Sequence, residues 1–378
     1  MVKTWSYQKE YKDLKKKIFV SLDKVFKSNK LFFGIELNKF EKKFLKINKS
    51  KYGIGVKSGT EALVIALKTL KISNNDEVIT VSNTAIPTIA AIQNVGGKVK
   101  FVEVNDEYLM DINSLKKAIT KKTKLIIPVH LYGQSCDMTE ICKIAKKNKI
   151  KIIEDCSQAQ GAKHKNINVG NFGDIGCFSF YPTKNLGAYG DGGFLTTMKN
   201  KYYEKMRRIR FYGIEELKPK NIYNKKYYSF ESGINSRLDE VQSSILNIKI
   251  LNFKKYINKK RKIANIYEKN LKNTGLILPK TNKFNFHTYH LYVVRHKKRD
   301  QILNILKKKG IQININYPFP NHKMPASKQN IKLKKTEEFA KTIFSLPTYP
   351  NLELKDQYKI IYALKNILKL MPHYKQYN

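Results

Sequence analysis

Phe178-Ser179-Phe180-Tyr181-Pro182-Thr183-Lys184-Asn185-Leu186 is the stretch on which the reading of this chain turns. The apolar run Ile175 to Phe180 predicts a buried strand, and Pro182, which cannot donate to a ladder, ends it. Lys184 therefore falls where a strand gives way to a loop. Gly187, Gly190, Gly192 and Gly193 follow closely and let backbone approach a ligand without bulky neighbours. An amine desolvated in such a place gives up its proton more readily and can attack a carbonyl to form a Schiff base. A plain surface lysine is the competing reading, in a chain with 73 Lys+Arg.

Upstream, Ile54-Gly55-Val56 reads as a short strand, followed by Ser58-Gly59-Thr60-Glu61 and an apolar helix from Ala62 to Leu70. The Ser-x-x-Glu spacing is a capping box, which by itself accounts for these residues. The same residues offer free backbone N–H groups and hydroxyls at a positive helix end, where a phosphate binds. Strands then alternate with helices: Val78 to Val81, a helix after Pro87, Val99 to Val102, a helix from Asp111, Leu125 to Val129, a helix from about Asp137, and Lys151 to Glu154. This alternation predicts βαβ units and a mostly parallel sheet, whose ligands bind beyond the carboxyl ends of the strands. Ser58, Asn83-Thr84 and Glu154-Asp155 all fall at such ends.

Ile152-Ile153-Glu154-Asp155-Cys156-Ser157-Gln158-Ala159 is the second informative stretch. An acid after two β-branched residues is partly buried and needs a cationic partner or a proton. Asp155 could cap the next segment. It could equally keep a pyridinium nitrogen protonated, so that the ring accepts electrons from a carbanion, with Gln158 reaching the same pocket. A phosphate cradle, a ring-nitrogen acid and a desolvated lysine together describe pyridoxal 5'-phosphate.

The remaining segments supply the frame. Residues 1 to about 50 hold short lysine-rich helices around a turn at Leu31-Phe32-Phe33-Gly34, and Asp191 to Thr197 reads as a returning strand before a helix from Lys199 to Phe211. Residues 214 to 230, with Tyr223, Tyr227, Tyr228 and Phe230, form an aromatic loop long enough to suggest a substrate or partner contact. A long helix opens after Gly233, with Asn235 as its cap. Further on, strands are expected at His290 to Arg295 and Gly310 to Ile315, and helices at Arg299 to Lys308 and Lys355 to Leu370. The expected division is a large α/β domain over 1–250, with its N-terminal helical segment, and a small α+β domain over 251–378.

The 378 residues are 42% hydrophobic, so the chain is globular. Its formal charge of +43 could signal a nucleic-acid or membrane partner. The lysines are spread over nearly every predicted helix face instead of one patch, so neither partner is expected; the charge is read as a general pull on anionic small molecules. Cys136, Cys142, Cys156 and Cys177 show no C-x-x-C pair, so neither zinc nor a disulfide framework is indicated and no metal is expected. No run approaches the roughly 20 apolar residues that span a bilayer, and a cytoplasmic location is expected.

In Gly34-Ile35-Glu36, Ser58-Gly59-Thr60-Glu61-Ala62-Leu63, Val129-His130-Leu131-Tyr132-Gly133-Gln134, Glu154-Asp155-Cys156-Ser157-Gln158-Ala159, Phe178 to Ala188 and Asn235-Ser236-Arg237-Leu238-Asp239-Glu240-Val241-Gln242, taken in this order, the chain resembles the DegT-type sugar aminotransferases over almost its whole length. The resemblance implies the type I aminotransferase fold, with a mixed seven-stranded sheet and a smaller C-terminal domain. It implies that Lys184 carries the cofactor and shuttles the proton, and that Asp155 pairs with the ring nitrogen. Gln158 would contact the ring or its 3-hydroxyl, while Gly59, Thr60 and Ser179 would hold the phosphate. Asn235 would reach the phosphate in the neighbouring subunit, which implies a homodimer with shared sites. Tyr181 and His322 are the candidates on the sugar side. Ala85 stands where many members place an aromatic residue against the ring, and the family's usual His-Tyr-Pro is here Asn316-Tyr317-Pro318. The Asn83-Thr84-Ala85 variant, Phe211-Tyr212-Gly213-Ile214 and Tyr317-Pro318 point toward members acting on 3-keto sugars.

The expected activity is transfer of an amino group from glutamate to a nucleotide-linked keto-deoxysugar, with a dTDP-3-keto-6-deoxyhexose favoured, in making an amino sugar of a surface glycan or similar glycoconjugate. A 4-keto nucleotide sugar is the alternative, and a non-catalytic protein that binds nucleotide sugars or polyanions is the rival from another class. A related dehydratase is disfavoured, because that branch of the family carries histidine in place of the lysine.

Overall fold

The computed structural model describes residues 1–215 and 227–370. After two helices, α1 (Gln8–Lys27) and α2 (Ile35–Asn48), the chain lays down β1 (Tyr52–Val56), β2 (Glu77–Val81), β3 (Lys98–Val102), β4 (Thr123–Ile126) and β5 (Lys151–Asp155). A short hairpin of β6 (Lys163–His164) and β7 (Ile167–Asn168) precedes β8 (Ile175–Ser179) and β9 (Gly193–Thr197). Seven of these strands form one sheet in the order β1-β9-β8-β5-β4-β2-β3. The pairs from β8 to β3 are parallel, while β9 runs antiparallel to both β8 and β1. This is the mixed, mostly parallel sheet that the strand–helix alternation predicts.

The helices that follow the first strands are α3 (Gly59–Thr69), α4 (Ile86–Asn94), α5 (Ile112–Ala118), α6 (Met138–Lys147) and α7 (Asn200–Ile209). Both sheet faces are covered, so strand side chains are apolar in consecutive positions and divide by parity. Val78 and Ile153 pack into a core with Leu63, Ile65 and Met206 of α3 and α7, whereas Ile79 and Ile152 pack into another with Ile141 and Ile144 of α6. Beside β8 and β9, Phe40 and Phe44 of α2 meet Phe178, Phe180 and Phe194; Phe44 sits edge-on to Phe178 at 5.2 Å between centroids. Edge-to-face pairs of this kind add about 0.5–1.5 kcal/mol each beyond their burial.

The long helix expected after Gly233 starts later and is broken. Asn235 lies in a β-bridge with Phe211, and the cap is Asp239, whose Oδ1 accepts the Gln242 N–H at 2.6 Å. The element runs as α8 (Glu240–Lys249), a 3-10 turn at Ile250–Asn252 and α9 (Phe253–Leu271). Leu246, Ile250, Phe253 and Ile257 keep one apolar face through the turn.

A strand β10 (Asn285–Phe286) pairs with β6, and β11 (Tyr292–Arg295) with β12 (Ile343–Leu346). With α9, the helices α10 (Arg299–Lys308), α11 (Lys334–Thr342) and α12 (Leu354–Lys369) complete the C-terminal part. Tyr292, Ile302, Phe344 and Leu364 share a core there that also takes in Val2. The strand expected over Gly310 to Ile315 is absent: Ile311 pairs singly with Val2 and Asn314 with Ser345, so no ladder extends. The lysine-rich α11 hides its amphipathicity, because only Thr336, Phe339, Ala340 and Thr342 are buried in it. Most of the aromatic loop expected at 214–230, Tyr223 included, lies outside the described residues; Tyr227, Tyr228 and Phe230 at its end are exposed.

Candidate active site

The carboxyl ends of the parallel strands open on one crevice, and alternation along β5 sends its two acids opposite ways. Glu154 turns into structure. Its carboxylate accepts the backbone N–H groups of Gly170, Phe172 and Gly173 at 2.7 to 2.8 Å, and His130 Nε2 lies at 3.0 Å. Asp155, the last residue of β5, turns into the crevice at 4% exposure. Its Oδ2 accepts from Thr88 Oγ1 at 2.8 Å, and its Oδ1 from the Ser157 N–H at 3.1 Å. Two donors fix the aim of this carboxylate and leave it acceptor capacity for a cation in the crevice.

Lys184 follows β8 in a turn closed by its own N–H, which donates to the Tyr181 carbonyl at 2.9 Å. Its amine shares the crevice with Asp155. Burial pushes it down to about 8, and the nearby Asp155 charge opposes that shift. The sequence reading of a desolvated lysine is thus matched by its surroundings.

At the far end, Ser58 caps α3 by accepting the Glu61 N–H at 3.2 Å, leaving Gly59 and Thr60 at the open helix end. A Cβ on Gly59 would lie 2.7 Å from Ser179 Cβ, and one on Gly193 would lie 2.3 Å from the Ser58 carbonyl oxygen. Backbone therefore closes on backbone here, as a cradle of N–H groups at a positive helix end requires. Gln158 is held from both sides: its Oε1 accepts the Tyr132 N–H at 3.1 Å and its Nε2 donates to Tyr317 OH at 2.7 Å. The cradle, the acid and the lysine line one cavity of ≈ 250 Å³, and that chemistry fits pyridoxal phosphate.

Gly59, Thr60, Ala85, Asp155, Gln158, Ser179, Tyr181 and Lys184 all line this cavity. Two expected residues do not. His322 is fully buried, 2.7 Å from Ser82 Oγ and 3.1 Å from Glu337 Oε1, and lines neither this cavity nor its neighbour. Asn235 is exposed, away from the cavity of its own chain. A second cavity of ≈ 280 Å³ adjoins the first, sharing Gln158, Tyr181 and Lys184. Residues that sequence reasoning missed include Thr88, which orients Asp155, and Lys260 and His290, which line the second cavity. Thr88 stands just after Pro87, where a helix opens close behind the strand end at Asn83-Thr84, which is a usable signal; Lys260 lies inside a basic run and carries none.

A model of the DegT/DnrJ/EryC1/StrS aminotransferase family matches residues 12–365. The dTDP-3-amino-3,4,6-trideoxy-alpha-D-glucose transaminase of Micromonospora megalomicea subsp. nigra is 40% identical over 96% of this chain and 98% of its own. The dTDP-3-amino-3,6-dideoxy-alpha-D-galactopyranose transaminase of Aneurinibacillus thermoaerophilus is 38% identical over 92% and 94%. Among solved structures, S. venezuelae DesV in complex with a ketimine intermediate superposes with a TM-score of 0.92 at 32% identity, covering 97% of this chain and 98% of that one.

Proposed function

The chain belongs to the DegT/DnrJ/EryC1/StrS aminotransferase family, and from that premise we propose that it aminates a dTDP-linked 3-keto-6-deoxyhexose, with glutamate as donor, to make an amino sugar for a surface glycan or similar glycoconjugate. It is a pyridoxal-phosphate-dependent sugar aminotransferase. The observation that carries the choice of sugar is that two relatives, 40% and 38% identical over more than nine-tenths of this chain, are named for 3-amino dTDP sugars.

The cofactor supplies an electron sink for the carbanion that forms when the donor loses its α-proton. The protein's own residues do the rest. Lys184 Nζ takes the proton from the amino-bearing carbon of glutamate and, in the reverse sense, gives one to the sugar carbon that receives the nitrogen. It must meet each half as a free amine, which its depressed basicity favours. Asp155, held by Thr88 and the Ser157 N–H, would keep the ring nitrogen protonated. Gly59, Thr60 and Ser179 would receive the phosphate, and Gln158, braced by Tyr317 and Tyr132, would contact the ring. Tyr181, half exposed at the mouth shared by both cavities, meets the sugar. The working unit is a homodimer in which Asn235 completes the partner's site. Four unpaired cysteines suit a cytoplasmic setting.

The test is incubation with glutamate and a panel of 3-keto and 4-keto nucleotide sugars, with the product read by mass spectrometry and NMR. A 3-amino dTDP sugar is expected. Amination of the 4-keto compounds alone would overturn the choice of acceptor.

A further inference from the structure

The second cavity has a floor that the reaction as described leaves unused. Lys260, 3% exposed on α9, donates from Nζ to Asn185 Oδ1 at 2.8 Å and to the His290 carbonyl at 3.0 Å. An ammonium has three donors, so one N–H is still to be placed. His290, 6% exposed just before β11, puts its imidazole beside it. Both residues line the cavity, and its charged side chains are Lys184 and Lys260, with no carboxylate among them. A buried ammonium with hydrogen bonds but no counter-charge is costly, and an anionic ligand in the cavity recovers that cost.

We propose that Lys260 and His290 receive a carboxylate of the amino donor, in a subsite of the second cavity beside Lys184. One ammonium N–H and one imidazole N–H match the two oxygens of a single carboxylate. The proposal rests on the transamination reading above: a 6-deoxyhexose has no carboxylate to offer, whereas glutamate has two and must bring its α-carbon to Lys184. The rigid placement of both groups supports the site, since Lys260 is tied to two elements before any ligand arrives. The state of the amine agrees. Burial and the adjacent Lys184 bring Lys260 down to about 7, no carboxylate lines the cavity to oppose them, and a bound carboxylate would favour the ammonium again.

The rival account is that Lys260 merely ties α9 to the loop after Lys184, and the two accounts separate in a binding measurement. Glutarate, which has no amine to transfer, is titrated calorimetrically into the holoenzyme of the wild type, Lys260→Met, Lys260→Arg and His290→Phe. Losing a charge-assisted pair should weaken glutarate about tenfold or more in Lys260→Met and in His290→Phe, with Lys260→Arg closer to wild type. In single-turnover absorbance, the KM for glutamate should rise to match, while conversion of the keto sugar by the aminated enzyme keeps its rate. Unchanged glutarate affinity in Lys260→Met of native circular dichroism would overturn the subsite. So would an equal loss in both half-reactions, or a loss confined to the sugar half, which would assign the carboxylate to the acceptor. A wild type that takes no nitrogen from glutamate defeats the donor reading before any variant is compared, so the two failures are distinct.

Discussion

Lys184 and Asp155 were legible because each stands at a strand end, where an apolar run stops abruptly on a residue that does not belong in a core. Their surroundings were less legible, since the partners come from distant sequence: Thr88 reaches Asp155 across 67 residues, and Tyr317 reaches Gln158 across 159. The partners of His322, a candidate on the sugar side that lines neither cavity, are distant in sequence as well. Ser82 and Glu337 hold its ring inward, 2.7 and 3.1 Å away. Two predictions belong at this scale. Lys184→Ala should lose amino transfer by at least about 10³-fold while remaining folded, because the amine that carries the proton is gone; wild-type turnover in that variant would remove Lys184 from the mechanism. The second concerns pH. The neutral amine is the nucleophile, and with its value lowered from 10.5 to about 8 it becomes available as pH rises through 8. The rate at which cofactor-free protein recovers its yellow absorbance with pyridoxal phosphate should therefore climb from pH 6.5 and level above 9. Since Asp155 raises the Lys184 value, Asp155→Asn should move that midpoint to lower pH. A rate still climbing at pH 10 would mean that the amine is not desolvated.

At the scale of elements, part of what looks like a catalytic signature is architecture. Glu240, 3% exposed, accepts the N–H groups of Gly34, Glu36 and Leu37 at 2.8 to 3.0 Å. It thereby caps α2, which has no side-chain cap of its own. A Cβ on Gly34 would sit 2.6 Å from Glu240 Oε2, so glycine is what lets the two segments meet. Gly34-Ile35-Glu36 and Asp239-Glu240 were both legible as motifs, but their mutual purpose was not, because a cap supplied from 206 residues away leaves no local pattern. Glu240→Ala strands several helix N–H groups in a buried place and should cost about 2–3 kcal/mol, read as a lower urea midpoint with an unchanged slope. An unshifted midpoint would show that water replaces the carboxylate without cost. Gly59→Val probes the other helix entry. Its side chain would run into Ser179, so cofactor affinity should fall at least about tenfold in an absorbance titration, with the apoprotein still folded.

The whole molecule raises the question of what completes the site. Everything expected of the cofactor pocket except Asn235 lines a cavity of one chain, and Asn235 itself is exposed. Nearby, Arg237 stacks over Phe32 at 4.2 Å, and Phe32, Leu31, Ile35, Phe19, Val20 and Phe26 are each exposed apolar side chains of the N-terminal segment. Apolar surface of this kind in an otherwise lysine-rich exterior suits burial against a second copy, and two-fold symmetry would then carry each Asn235 to the other chain. That arrangement has a consequence that a self-sufficient subunit lacks. Lys184→Ala and Asn235→Asp are each expected to be nearly inactive as homodimers. When the two are co-refolded in equal amounts, half the dimers are mixed; each mixed dimer has one site with both defects and one with neither, so about a quarter of wild-type activity should return. If Asn235 served its own chain's site, every mixed dimer would hold two singly damaged sites and no activity would return. The measurement is amino transfer before and after co-refolding, with gel filtration to confirm that dimers formed.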